Sequence, residues 1–98
     1  MKVIRKMPGQ EPELAEMDNT LEALQEAVGG YIETVTIAED LCLICNEEGW
    51  LQGLPYNDTL PMLNIRGPAL FVGTEGEEFC DVPEPEFLID QIRKTMNL

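Results

Sequence analysis

The chain has no histidine and no serine. That removes Ser–His and Cys–His nucleophile pairs and every zinc motif built on two histidines. Cations are nearly as scarce: six Lys and Arg stand against nineteen Asp and Glu, a formal net charge of −13. No Gly-Lys-Ser/Thr occurs, so there is no P-loop, and Arg66 is the only base near the middle of the chain. Phosphoryl transfer therefore has almost no cation to work with. The longest apolar run, Leu41 to Cys45, falls far short of the roughly 20 residues a membrane span needs. Met1 to Lys6 carries charge but no apolar stretch behind it, so no signal peptide is expected. Three cysteines, an odd number, make no disulfide framework and fit a reducing cytoplasm. There is no internal repeat and no low-complexity segment.

What remains is 98 residues, 44% of them apolar, enough for one domain with a single modest core. The charges are unevenly placed. Lys2, Arg5 and Lys6 sit at one terminus and Arg93 and Lys94 at the other; Met7 to Ile65 holds twelve acids and no base, and Gly67 to Ile92 seven more, again without a base. Such a surface repels nucleic acid and anionic lipid and attracts a basic partner, including a protein groove built to hold DNA. The same charge also keeps a small protein in solution.

Local patterns give the elements. Lys2 to Met7 reads as a first strand ended by Pro8-Gly9, and Gln10 to Asp18, acidic and holding Pro12, as a loop. Asn19 with Glu22 three residues on has capping-box spacing. Leu21, Leu24 and Val28 follow at helical spacing, and Gly29-Gly30 supplies the stop. Tyr31 to Ile37 is rich in β-branched residues and reads as a strand. The stretch LCLICNEEGWLQGLPYN, Leu41 to Asn57, reads as a hairpin: Leu41 to Cys45, a loop with Gly49 in the left-handed region, then Trp50 to Leu54. Tyr31 to Leu54 would then be a three-stranded meander, with the doubly apolar Leu41–Cys45 run mid-sheet. Asp58 to Pro68 is a connection anchored by Leu60, Met62, Leu63 and Ile65. Ala69 to Val72 is a strand, Phe79 to Val82 a short edge strand, and Pro85 opens a helix with Arg93 and Lys94 in its last turn.

Cys42 and Cys45 have CxxC spacing, but two strand residues three apart point to opposite faces, so the thiols serve the core rather than a metal or redox centre. No cofactor and no metal is expected. Glu47-Glu48 forms a carboxylate pair at a loop tip, and Asn46 and Asn57 each sit where an Asn side chain shapes a turn. Gln25 lies on the outer helix face. Trp50 and Tyr56 are core or sheet-face packing rather than ligand platforms.

Several segments together resemble a known family. Leu24-Gln25, Val28-Gly29-Gly30-Tyr31-Ile32-Glu33, Cys45-Asn46-Glu47-Glu48-Gly49 and Leu54-Pro55-Tyr56-Asn57 are similar to the bacterial and phage family catalogued as domain of unknown function 3846. Lys2-Val3-Ile4 with Pro8-Gly9, and Gly67 ahead of Leu70-Phe71-Val72-Gly73, fit as well, so the likeness spans Lys2 to Gly73. The resemblance implies an accessory protein of phages, plasmids and conjugative elements with no assigned activity. It singles out Asn46, Glu47, Glu48 and Asn57 for a role beyond shaping turns.

The expected fold is α+β, one domain over 1–98: a mostly antiparallel sheet of four to five strands with two helices against it. Two functions are compatible. The first is a non-enzymatic interaction protein whose acidic surface binds a basic host protein, in its sharpest form a DNA-mimicking inhibitor of restriction or defence. The second is a small-ligand or metal-dependent activity at the NEEG and LPYN loops, which requires Asn46, Glu47 and Asn57 to converge on one pocket. The interaction candidates are Gln25, Asn46, Glu47, Glu48, Tyr56 and Asn57. A homodimer is left open.

Overall fold

In the computed structural model, which describes residues 1–96, the run Leu41–Asn46 (β4) lies inside the sheet. Its residues are buried on both faces because a packed layer covers each. Ile32–Ala38 (β3) pairs with it on one side in a hairpin, and Ala69–Glu75 (β5) on the other, with Leu41 opposite Gly73 and Cys45 opposite Ala69. Lys2–Lys6 (β1) pairs with the first half of β5, and Glu78–Cys80 (β6) with its last three residues. Glu13–Glu16 (β2) closes the far edge against β1. All pairings are antiparallel, in the order β2-β1-β5-β4-β3 with β6 beside β5. The α+β expectation holds, with a sixth strand inside the segment expected to be a loop. Glu13-Leu14-Ala15-Glu16 has no β-branched residue to mark it; its order comes from β1, which offers partners from Lys2 to Arg5.

Alternation along the strands divides the core in two. On one face Val3, Cys42, Ile44, Leu70 and Val72 pack with Leu24 and Val28 of the helix Leu21–Val28 (α1). On the other, Ile4, Leu43, Cys45, Ala69 and Phe71 pack with Ile65, Val82 and Ile92, the last from the helix Pro85–Met96 (α2). Cys42 and Cys45 thus point to opposite faces. Burial raises both thiols: Cys45 reaches about 11, helped by the Glu33 charge and by Cys42, while a backbone hydrogen bond at Val35 only partly offsets the rise at Cys42. Neither is a ready thiolate.

Three local expectations need correction. The N-cap of α1 is Thr20, whose hydroxyl accepts the Ala23 N–H at 3.1 Å. Asn19 instead donates to the Phe79 carbonyl at 2.9 Å, tying the helix start to β6, so no capping box forms. The C-cap is as read: Gly29 is left-handed at φ 80° and its N–H reaches Gln25 O.

Trp50–Leu54 is not a strand. Glu47 to Gly53 coils through consecutive turns, closed by Gln52 N–H to Glu48 O and Leu54 N–H to Gly49 O. The free edge of β4 takes β5 instead, since Ala69–Val72 can be buried on both faces while a Gln-Gly pair cannot. Gly49 is required for another reason than the one expected. Its φ is not positive, but a Cβ there would sit 2.5 Å from the Arg66 carbonyl oxygen.

Candidate functional site

The sheet has two unlike ends. At one, the segment 47–68 folds back over the start of β5 and is held by two asparagines. Asn57 is wholly buried and donates to the carbonyls of Lys6 and Gly67, both at 2.8 Å, while its side-chain oxygen accepts the Thr59 N–H. Asn46 donates to Val28 O at the end of α1 and to Gln52, and accepts the Glu48 N–H at 2.7 Å. Both are thus committed to backbone groups that otherwise would be buried without partners. Lys6, also wholly buried, donates to the Met7 carbonyl and pairs with Asp58. Burial alone raises the Asp58 carboxyl, but hydrogen bonds from Lys6 and from its own and the Gly9 backbone, with the Lys6 charge, bring it below the ordinary range.

Arg66 stacks on Trp50, its guanidinium carbon 4.0 Å from the ring centroid, with Tyr56 at 5.6 Å on a backbone bridge to Arg66. The Trp50 indole N–H donates to Asn64 O. Arg66 Nε is buried without an acceptor, and the ring faces are what compensate its charge.

The sequence candidates divide accordingly. Asn46 and Glu47 line a hollow of about 150 Å³ with Glu33, Trp50, Asn64 and Arg66, but Asn57 is not among its lining residues. Glu47 is exposed, and Glu48 is half-buried with its backbone engaged by Asn46. Gln25 is half-buried on α1, remote in role, its carbonyl receiving the C-cap N–H groups. Tyr56 belongs to the Arg66 stack. Sequence reasoning did not anticipate that stack. The available signal was compositional: 49–68 contains Trp, Tyr and Arg and only one acid, Asp58.

The opposite end is made of turns. Thr74 binds the β3–β4 turn, its N–H to Asp40 O and its hydroxyl to Glu39 O, both at 3.1 Å. The β5–β6 turn beside it places Glu75 directly opposite Glu78, with Glu77 between. Asp40 and Glu84 flank one small recess with Leu41, Pro83, Phe87 and Leu88. A larger open recess of about 520 Å³ is lined by Glu84, Pro85, Glu86 and Phe87. Neighbouring strands are about 4.8 Å apart, within the ~8 Å physiological screening length, so these carboxylates act as one field. No base lies in the β3–β4 turn, the β5–β6 turn or the start of α2; the exposed base at this end is Lys2 of β1, whose backbone bonds to Asp81 and Val82.

Among the described residues, no three His, Cys, Asp or Glu side chains are grouped as a metal ion requires. No helix among them is long and apolar enough to cross a membrane.

A family model described as a domain of unknown function (DUF3846) matches residues 1–97. The chain belongs to the DUF3846 family. The match runs past Gly73 through β6 and α2, so the family unit includes both anionic turns and the second helix. No curated protein and no solved structure matches this DUF3846 chain.

Proposed function

We propose that this DUF3846 protein is a non-enzymatic accessory protein that binds a basic host protein through the anionic end of its sheet. The observation that carries the reading is the fate of the charges. Arg5, Lys6, Arg93 and Lys94 are each paired with an acid of the same chain, which leaves fifteen of the nineteen carboxylates without an ion pair among the described residues. Every acidic residue except Glu48 and Asp58 is exposed. Seven of them, Glu39, Asp40, Glu75, Glu77, Glu78, Glu84 and Glu86, belong to the turns and helix start at one end of the sheet.

A solubilising charge has no reason to be set against itself. Yet Glu75 faces Glu78 across the β5–β6 pair, where like charges cost stability. Exposed Phe87 between Glu84, Glu86 and the β3–β4 turn adds an aromatic face to the carboxylates. That combination suits arginine, whose guanidinium takes carboxylates in its plane and a ring on its face. The partner is therefore a basic, arginine-bearing protein surface. In its sharpest form that surface is the nucleic-acid groove of a restriction or defence protein encountered by a phage or mobile element.

The test is retention of host-lysate proteins on the immobilised chain, wild type against a variant with Glu39, Asp40, Glu75, Glu77 and Glu78 changed to Gln or Asn. Basic proteins held by the wild type at low salt should elute as salt rises and be missing from the variant. Equal retention by both, or binding indifferent to salt, rejects the reading.

A further inference from the structure

We infer that the opposite, acid-poor end is where two copies of this chain meet. Trp50, Leu51, Tyr56 and Met62 are 60%, 85%, 41% and 78% exposed. All four come from the segment 50–66: Arg66 joins Trp50 to Tyr56, Leu51 follows Trp50 in the chain, and the Trp50 indole reaches Asn64, two residues beyond Met62. Trp, Tyr, Met and Arg are the residue types enriched at interface cores, and the first two with Arg dominate binding hot spots. The patch is also fixed in advance. The Arg66 stack, the indole hydrogen bond, the Gly49–Arg66 backbone contact and the Asn46 and Asn57 bonds hold it, so little ordering cost remains on association.

Charge selects the occupant. Between Gly49 and Pro68 stand one acid, Asp58, already held by Lys6, and one base, Arg66; the other eighteen acids are elsewhere. The remaining exposed large apolar residues, Leu14, Leu21, Tyr31, Ile37 and Phe87, each lie within two residues of an exposed acid. A second copy, itself at −13, therefore meets fewer carboxylates here than beside those residues; Glu33 and Glu47 border the patch through the hollow they share with Trp50 and Arg66. An isologous contact sets the same patch on itself and leaves the two anionic ends on the outside, beyond the screening length. Area agrees: at about 200 Å² per large side chain, the four exposed residues offer on the order of 500 Å². With exposed Gln52, Pro55, Pro61 and Asn64 around them, this approaches the ~800 Å² per partner of a stable interface. The inference stands apart from the partner proposed above, and it implies that such a partner meets two anionic ends at once.

Sedimentation of the purified chain from micromolar to sub-millimolar concentration tests it, at low salt and in half-molar sodium chloride. The wild type should reach twice its 11.0 kDa mass, and more readily in high salt, since screening removes repulsion while the contact itself is apolar. That salt response is opposite in sign to the one expected at the anionic end. Leu51→Glu and Met62→Glu, both at exposed positions, should keep the wild-type circular dichroism and melting and weaken the dimer about tenfold or more. Leu14→Glu, on the far edge strand, should leave it unchanged. A wild type that stays monomeric throughout, or a dimer broken by Leu14→Glu and untouched by Leu51→Glu and Met62→Glu, overturns the inference.

Discussion

The two ends of the sheet handle polar groups in opposite ways. At the 47–68 end several turn inward: Asn57, Asn46 and Lys6 are buried and engaged with backbone, Gln52 or Asp58, beside the unpartnered Thr59 hydroxyl and Arg66 Nε. At the other end they turn outward, and carboxylates from the β3–β4 turn, the β5–β6 turn and the start of α2 face water, with Lys2 the exposed base beside them. The buried asparagines and Lys6 at the first end are therefore structural, and their loss destabilises. The carboxylates at the second repel one another, and their loss relieves that repulsion. A stability measurement separates the two roles without knowing any partner.

The largest effect belongs to Asn57. Asn57→Ala strands the Lys6 and Gly67 carbonyls and the Thr59 N–H in a dry interior. A loss of about 3–5 kcal/mol is expected from urea unfolding, at about 1–3 per stranded group with some relaxation. A loss under about 1 kcal/mol would mean that Asn57 is not a pin.

Next comes the buried ion pair. Asp58→Asn leaves the enclosed Lys6 ammonium with the Met7 carbonyl and a neutral amide oxygen in place of its counter-charge, at a cost of about 2–3 kcal/mol, less than for a fully buried pair because Asp58 is partly exposed. Adding Lys6→Met should recover most of it. The same pair sets a pH response. The Asp58 carboxyl titrates lower when folded than when unfolded, so its contribution is complete above the unfolded value near 3.9. It fades as pH falls through the lower folded value. The wild type should lose this increment in that window, and Asp58→Asn should lack that part of its acid limb.

The smallest effect has the opposite sign. Glu75→Thr removes a like-charge cross-strand pair and puts a β-former at the edge, for a gain of about 0.2–1 kcal/mol. A measurable loss would mean that the carboxylate is structural, and the contrast between the ends would collapse.

Much of the fold was legible in the sequence because apolar period and glycine stops carry it. The helix ending at Gly29, the strand through Val35, the doubly apolar β4 and the helix opening at Pro85 all follow from local pattern. What failed was pairing. Two apolar runs separated by a Gly-ended loop look like a hairpin, yet β4 chose β5, distant in sequence, because only that run can be buried on both faces. β2 was invisible because its order is lent by β1. Of the candidate residues, Asn46 and Asn57 each shape a turn through Oδ1, the local half of what the sequence suggests, but their other targets, the end of α1 and the Lys6 backbone, are long-range and leave no local trace. The Arg66 stack was unreadable for the same reason, since Trp50 and Arg66 are sixteen residues apart and meet only after the loop folds back.

The most direct measurement takes one variant, with Glu39, Asp40, Glu75, Glu77 and Glu78 neutralised, and records its melting temperature and its retention of basic lysate proteins side by side. The account predicts a chain that melts at or above the wild-type temperature and has lost the proteins the wild type holds at low salt. A variant that binds them as before would contradict it.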